Sequence, residues 1–328
     1  MNLLLFLGAG FSVEAGYPTQ KQFLEKVLQL RRSGIIKEYH IDSVSLAYYL
    51  SMYHEGKSEV TMEEAFSMLE YEYLMKNPDM KFAYIKYDDR GNKFIRSSNG
   101  LSISFAYNVF IDVLNFVYGY RLDEGFKSED LYIEFFNKLF TEYDINIVTT
   151  NYDYICDMSF IKMGYKIVGG IPFYSAFINE ENNKKINIYK LHGSAGDLDS
   201  QFNIRTIVPP TWNKSFKKEE SFLINCWNES EDIIRDSDII LFLGYSLPQM
   251  DNNIRFLLKA GLQSHFGEKK KKYIFVVKPN WTINDIQNYD FIKKSESVYQ
   301  LFPIELDFRA FAKSDFINSI KQTISGIQ

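Results

Sequence analysis

Cysteine is scarce in this 328-residue sequence, with only Cys156 and Cys226 present. Two thiols cannot build a disulfide framework or a four-thiolate zinc site, and their apolar neighbours suit a reducing compartment. Histidine is nearly as rare, with four residues, so an imidazole at an informative position stands out. An excess of basic charge is missing too. Lys and Arg total 37 against 42 Asp and Glu, for a net charge of −5, the reverse of a dedicated nucleic-acid binder's footprint. Long hydrophobic runs are also absent: none approaches the roughly 18 residues that a membrane span needs. The apolar opening Leu3–Leu7 lacks the basic lead-in and small-residue cleavage site of a secretory signal and runs straight into glycine. These absences point to a soluble, cytoplasmic protein without a resident metal and without direct contact with membrane or nucleic acid.

Apolar residues are plentiful. With 46% hydrophobic and 16% aromatic residues, the chain buries enough surface to fold, and its length fits one large α/β domain or two ordinary ones. Leu3 to Leu7, followed by Gly8-Ala9-Gly10 and a helical pattern through Phe23, Val27 and Leu30, predicts a buried strand, a glycine turn and a helix. Similar buried strands are predicted at Ile145–Thr150, Ile186–Leu191, Ile239–Leu243 and Tyr273–Val277. The expected fold is therefore a Rossmann-like α/β domain with a doubly wound, mainly parallel sheet. Residues of about 33–142 show helical periodicity and predict a large helical insertion within a single domain spanning 1–328. Asp88–Asn92 reads as a hairpin or loop tip, and Asn77-Pro78 as a helix end. Leu306 to Ile320 has helical spacing and is expected to pack on the sheet.

Four polar, glycine-marked turns close four of the predicted strands. Gly8-Ala9-Gly10-Phe11-Ser12 occupies the strand-to-helix position where backbone N–H groups bind phosphate, with Ser12 as an additional donor. Val13 stands where the third glycine of a dehydrogenase fingerprint would fall, so a ligand-free tight turn is the alternative. Thr19 is expected to cap the following helix. Asn151 and Asp153 follow the second strong strand, as ligand groups or as a helix cap. His192 closes an apolar strand just before Gly193, which places a titratable imidazole at the same edge. Gly244, Ser246 and Asp251 close another strand, and Asp251 taken alone reads first as the cap of the helix that begins near Asn252. The convergence of these turns on one sheet edge favours a nucleotide site.

In this order, GAGFSVEAGYPT, TTNYD, KLHGS and LGYSLPQMD resemble the signature set of the sirtuin-like superfamily, and the GYSLPQMD form is similar to its NAD-hydrolysing branch in bacterial antiphage defence. The resemblance implies cleavage of NAD, as substrate, to nicotinamide and ADP-ribose by the effector of an abortive-infection system. It implies that Asn151 positions the water and the nicotinamide ribose, that His192 acts as general base, and that Asp153 meets the carboxamide. Gly8, Ala9, Gly10 and Ser12 would hold the pyrophosphate and Gly244 and Ser246 the adenosine half, with Phe11, Thr19, Gly193 and Asp251 completing the nucleotide-binding set. No metal is needed. Two cysteines cannot supply the deacylases' zinc ribbon, and Thr19-Gln20-Lys21 replaces their acidic–Phe–Arg stretch, which speaks against acyl-lysine chemistry. Self-assembly into a homo-oligomer or a separate sensor or ATPase subunit is the expected control. The alternative is an NAD or ADP-ribose sensor without turnover.

Overall fold

The computed structural model describes residues 1–56, 59–76, 79, 81–87, 93–119, 126–168, 184–195, 207–208, 221–248, 251–262, 271–289 and 299–326. Its centre is a seven-stranded sheet built from β1 (Asn2–Leu7), β4 (Asp144–Thr149), β5 (Lys166–Val168), β6 (Lys185–Lys190), β7 (Ile239–Leu243), β8 (Lys272–Val277) and β9 (Tyr299–Ile304). The spatial order is β5-β6-β4-β1-β7-β8-β9, and every pairing is parallel. β1 lies between β4 and β7, in register with both: Leu5 is opposite Ile147 on one side and Leu241 on the other. The chain winds outward from β1 first in one direction and then in the other. The β1/β7 boundary is therefore a topological switch point, where open α/β sheets take their ligands.

Both faces of the sheet are covered, which explains why Leu3 to Leu7 is apolar throughout rather than alternating. One face carries Leu3, Leu5 and Leu7 against α6 (Glu129–Phe140), α7 (Ile155–Lys162) and the carboxyl-terminal helices Phe308–Lys313 and Phe316–Ser325. The expected docking of the tail onto the sheet is thus found, through Phe308, Phe311, Phe316 and Ile320. The other face carries Leu4 and Phe6 against α8 (Ser221–Asp236) and α9 (Asn252–Leu262).

The long crossover from β1 to β4 holds α2 (Phe23–Arg32), α3 (Glu38–Glu55), α4 (Met62–Met75) and α5 (Ile103–Tyr118), whose buried residues form a cluster of their own. Tyr152, Ala195 and Ile207 join that cluster to the sheet. The structure amends the expected helical insertion twice. β2 (Lys81–Tyr87) and β3 (Lys93–Ser102) pair as an antiparallel hairpin inside it, where the aromatic and β-branched residues of Lys-Phe-Ala-Tyr-Ile-Lys-Tyr suit a strand. The helix α6, assigned to the insertion by position, instead packs Tyr132, Phe135 and Phe136 on the sheet. The tip at 88–92 and the helix end at 77–78 lie outside the described residues.

Candidate functional site

The turns after β1 and β7 touch backbone to backbone. Gly8 N–H donates to Leu243 O at 3.0 Å and Gly10 N–H to Gly244 O at 2.9 Å. A Cβ on Gly10 would lie 2.8 Å from Gly244 Cα, and one on Gly244, whose φ is +63°, would lie 2.2 Å from Phe11 N. Glycine is required here so that two turns can meet at the switch point. The N–H of Gly10 is committed to β7 and is not a phosphate donor in this arrangement. A one-turn helix, α1 (Ala9–Ser12), begins directly after Gly8, where the sequence suggested only a turn and loop. Phe11 is placed differently from expectation: its ring packs in the core 4.5 Å from the Phe308 ring and 5.1 Å from Tyr132, centroid to centroid, because α1 turns it inward.

Ser12, Asn151 and Asp153 form one hydrogen-bonded group across the ends of β1 and β4. Asn151 Nδ2 donates to Gly8 O and to Ser12 Oγ, both at 2.9 Å, and Ser12 Oγ donates to Asp153 Oδ2 at 2.7 Å. A carbonyl only accepts, so the Gly8 contact sets the orientation of the Asn151 amide. Both amide hydrogens are committed, which leaves Oδ1 to hold a water or a sugar hydroxyl. The single hydrogen of Ser12 goes to Asp153, so Ser12 shapes this group rather than serving a phosphate. The other oxygen of Asp153 accepts the Ile155 N–H at 3.2 Å, from one residue before the cap position of α7, which Tyr154 occupies. Burial raises its carboxyl above the usual range, while Lys190, the Ser12 hydroxyl and the Ile155 N–H pull the other way.

His192 follows β6 and is 7% exposed, with its ring 6.1 Å from that of Tyr152. Just before it, the buried Lys190 ammonium donates to Asp153 O at 2.6 Å and pairs with Asp157 Oδ2 at 2.8 Å. This lysine ties the end of β6 to the start of α7, fixing the His192 and Asp153 segments relative to each other. Gly193, with φ +74°, turns the chain after His192 and bridges to Ile207, beside the cavity rather than in its wall.

These groups open into a cavity of about 590 Å³, within the range of small-molecule sites. Ala9, Gly10, Ser12, Asn151, Asp153 and His192 line its floor, and Gly244, Ser246, Asp251 and Lys278 one end. Asp251 accepts the Tyr245 hydroxyl at 2.6 Å. Tyr17 to Lys21 and the start of α4, Thr61 to Glu63, form the remaining wall with Tyr118. Thr19 lines the cavity but does not cap the helix as expected. Its N–H and Oγ1 bond to Gln22 Oε1 at 3.0 and 3.1 Å, and α2 begins at Phe23, because this side-chain turn occupies the residues before it. Sequence reasoning assigned no role to Glu63, Tyr118, Tyr245 or Lys278; Tyr245 lies in the β7 turn itself, and the fold of the insertion and of β8 brings the other three here.

Elsewhere, both thiols are buried, and burial raises that of Cys226 to about 11 and that of Cys156 well above its usual value. Among the described residues, no group of three or more His, Cys, Asp or Glu is placed to hold a metal, and no helix is long and apolar enough to cross a membrane.

An all-parallel, doubly covered sheet with a cavity at its switch point defines the open α/β class that takes ligands beyond its strand ends. Residues 145–299, which include Asn151, Asp153, His192 and the β7 turn, match the family model described as SIR2-like domain. Among solved structures, it is 12% identical to Sir2Tm bound to a propionylated peptide, over 100% of this chain and 94% of that one, with a TM-score of 0.34. A second, described under the mechanism and regulation of Sir2 enzymes, is 12% identical over 99% and 93%, with a TM-score of 0.41. A third, a Sir2–p53 peptide–NAD+ complex, is 11% identical over 100% and 94%, with a TM-score of 0.36. No curated protein matches the chain.

Proposed function

We propose that this chain hydrolyses NAD to nicotinamide and ADP-ribose. The match to a SIR2-like domain supports an NAD-dependent activity. The observation that carries the finer reading is the linked Ser12–Asn151–Asp153 group opening, with His192, into one cavity at the switch point. In this reading the nicotinamide ribose lies over the ends of β4 and β6, and the adenosine half lies toward Gly244, Ser246 and Lys278. The bond between ribose C1′ and the nicotinamide nitrogen breaks, and its electron pair returns to the cationic ring, which leaves as neutral nicotinamide without an acid. Asn151 Oδ1 holds the attacking water or a ribose hydroxyl. The water oxygen bonds to C1′, and His192 takes its proton as general base. Asp153 adds negative potential beneath a centre that becomes oxocarbenium-like. The cysteines take no part, since burial keeps both thiols protonated at neutral pH.

The chain is proposed to work as one unit, since the insertion and the sheet wall the same cavity. Its use as an antiphage effector, held inactive until self-assembly or a partner subunit releases it, rests on the sequence resemblance. The test is nicotinamide release from NAD by the purified chain, across a concentration series, beside Asn151→Ala and His192→Ala. Release by the wild type that both variants reduce by about a hundredfold or more is the expected result. Tight NAD binding without release at any concentration would replace the hydrolase with the sensor.

A further inference from the structure

The insertion contributes one carboxylate to the cavity wall. Glu63 lies on the first turn of α4, is 4% exposed, and faces the cavity. It is not needed at the helix start, because the Thr61–Glu64 capping box already serves that end: Thr61 N–H donates to Glu64 Oε2 at 2.7 Å and Glu64 N–H to Thr61 Oγ1 at 3.2 Å. Glu63 Oε2 instead accepts from Gln20 Nε2 at 3.1 Å, which anchors the carboxylate to the loop after β1.

Its neighbours place it at one end of the cavity. The preceding residue, Met62, lies against the Tyr118 hydroxyl, the Tyr118 and Tyr152 rings are 5.7 Å apart, and the Tyr152 ring is 6.1 Å from that of His192. After burial, the negative charge of Glu63 is the largest influence raising the Tyr152 phenol, whereas it is the smallest of those acting on Tyr245. Through Met62 and Tyr118, Glu63 lies toward the β4/β6 end of the cavity, whereas the buried Asp251 and Lys278, the latter paired with Asp285, lie at the β7/β8 end. Low-dielectric walls strengthen such a charge toward anything bound beside it. An NAD molecule carries its positive charge on the nicotinamide ring, so a carboxylate at that end of the cavity is of opposite sign and complements it.

We propose that Glu63 is a substrate-contacting residue that sets the site's preference for a positively charged nicotinamide–ribose end. This rests on the NAD-hydrolase reading and adds a determinant from outside the SIR2-like segment. Glu63 attracts the cationic ring on binding and the oxocarbenium-like sugar that follows it, and makes no covalent bond.

The test compares binding of NAD with binding of NADH, whose dihydronicotinamide ring is neutral, in a His192→Ala background that does not consume NAD. With Glu63 present, NAD should bind about tenfold more tightly than NADH. Glu63→Gln keeps the shape and an oxygen for Gln20, and should bring the two affinities to within about twofold. Equal affinities with Glu63 present, or a preference that survives Glu63→Gln, would overturn the proposal. Because the first comparison needs no change at Glu63, it can overturn the proposal even if that variant does not fold. Failure to bind either nucleotide would instead sink the NAD reading.

Discussion

Replacing Gly244 by alanine tests the idea that the site depends on two turns in backbone contact. Two costs add. At φ +63° an L side chain is strained by about 1–2 kcal/mol. The new Cβ would also sit 2.2 Å from Phe11 N and 2.4 Å from Gly10 C, backbone atoms that cannot swing away. Forced overpacking of this kind costs about 1–3 kcal/mol. Separating the turns also weakens the Gly10 N–H···O Gly244 bond, worth about 0.5–1.5 kcal/mol. The sum is about 2.5–6.5 kcal/mol. Gly34 is the control: its φ is +75° but nothing lies within 4 Å of its added Cβ, so Gly34→Ala carries only the strain, partly offset by a less free unfolded chain. At about 2.1 cal/mol/K per residue over 328 residues, one kcal/mol moves the melting temperature by about 1.5 °C. Gly244→Ala should therefore melt about 4–10 °C lower and Gly34→Ala about 1–2 °C lower. Urea titrations of both, with unchanged slope, provide the independent measure. Equal shifts for the two variants would refute the claim that close approach, rather than φ alone, demands glycine at the switch point.

Two further outcomes follow from the buried charges. Lys190→Met leaves Asp157 buried without its cation and should cost about 3–5 kcal/mol; adding Asp157→Asn should recover about 1–3 kcal/mol of that, whereas strictly additive losses in urea melts would show that the pair is not coupled. The Asp153 carboxyl is raised above its ordinary 3.8 by burial, so the folded state holds a proton that the unfolded chain has released between that value and the raised one. Its contribution to stability is thus present below 3.8 and lost as pH rises through the raised value. Stability relative to Asp153→Asn should accordingly fall with rising pH across that window and level off above it, and a difference that grows with pH would show the wrong sign.

How much of this was readable beforehand varies with the range of the interactions. Of the five sheet strands that announce themselves, Leu3–Leu7, Ile239–Leu243 and Tyr273–Val277 are apolar throughout because both their faces are covered, while Ile145–Thr150 and Ile186–Leu191 show as short β-branched runs with an asparagine near their start. Lys166–Val168 is too short to carry a pattern, and Tyr299–Ile304 contains Pro303, tolerated because this is an edge strand. The hairpin was hidden by its helical surroundings.

The sequence by itself determined the local chemistry: glycine where strands end, an Asn-x-Asp and a His-Gly at matching edges, and too few cysteines for a disulfide framework. These depend on residues adjacent in the chain. Only the tertiary structure decided which groups serve the cavity. It sends Phe11 into the core, commits the Ser12 hydrogen to Asp153 and the Gly10 N–H to Gly244, and carries Glu63 and Tyr118 in from the insertion. The physical reason is that a hydrogen bond or a buried charge is settled by neighbours in space, and those of Ser12 and Asp153 lie 141 residues apart in the chain.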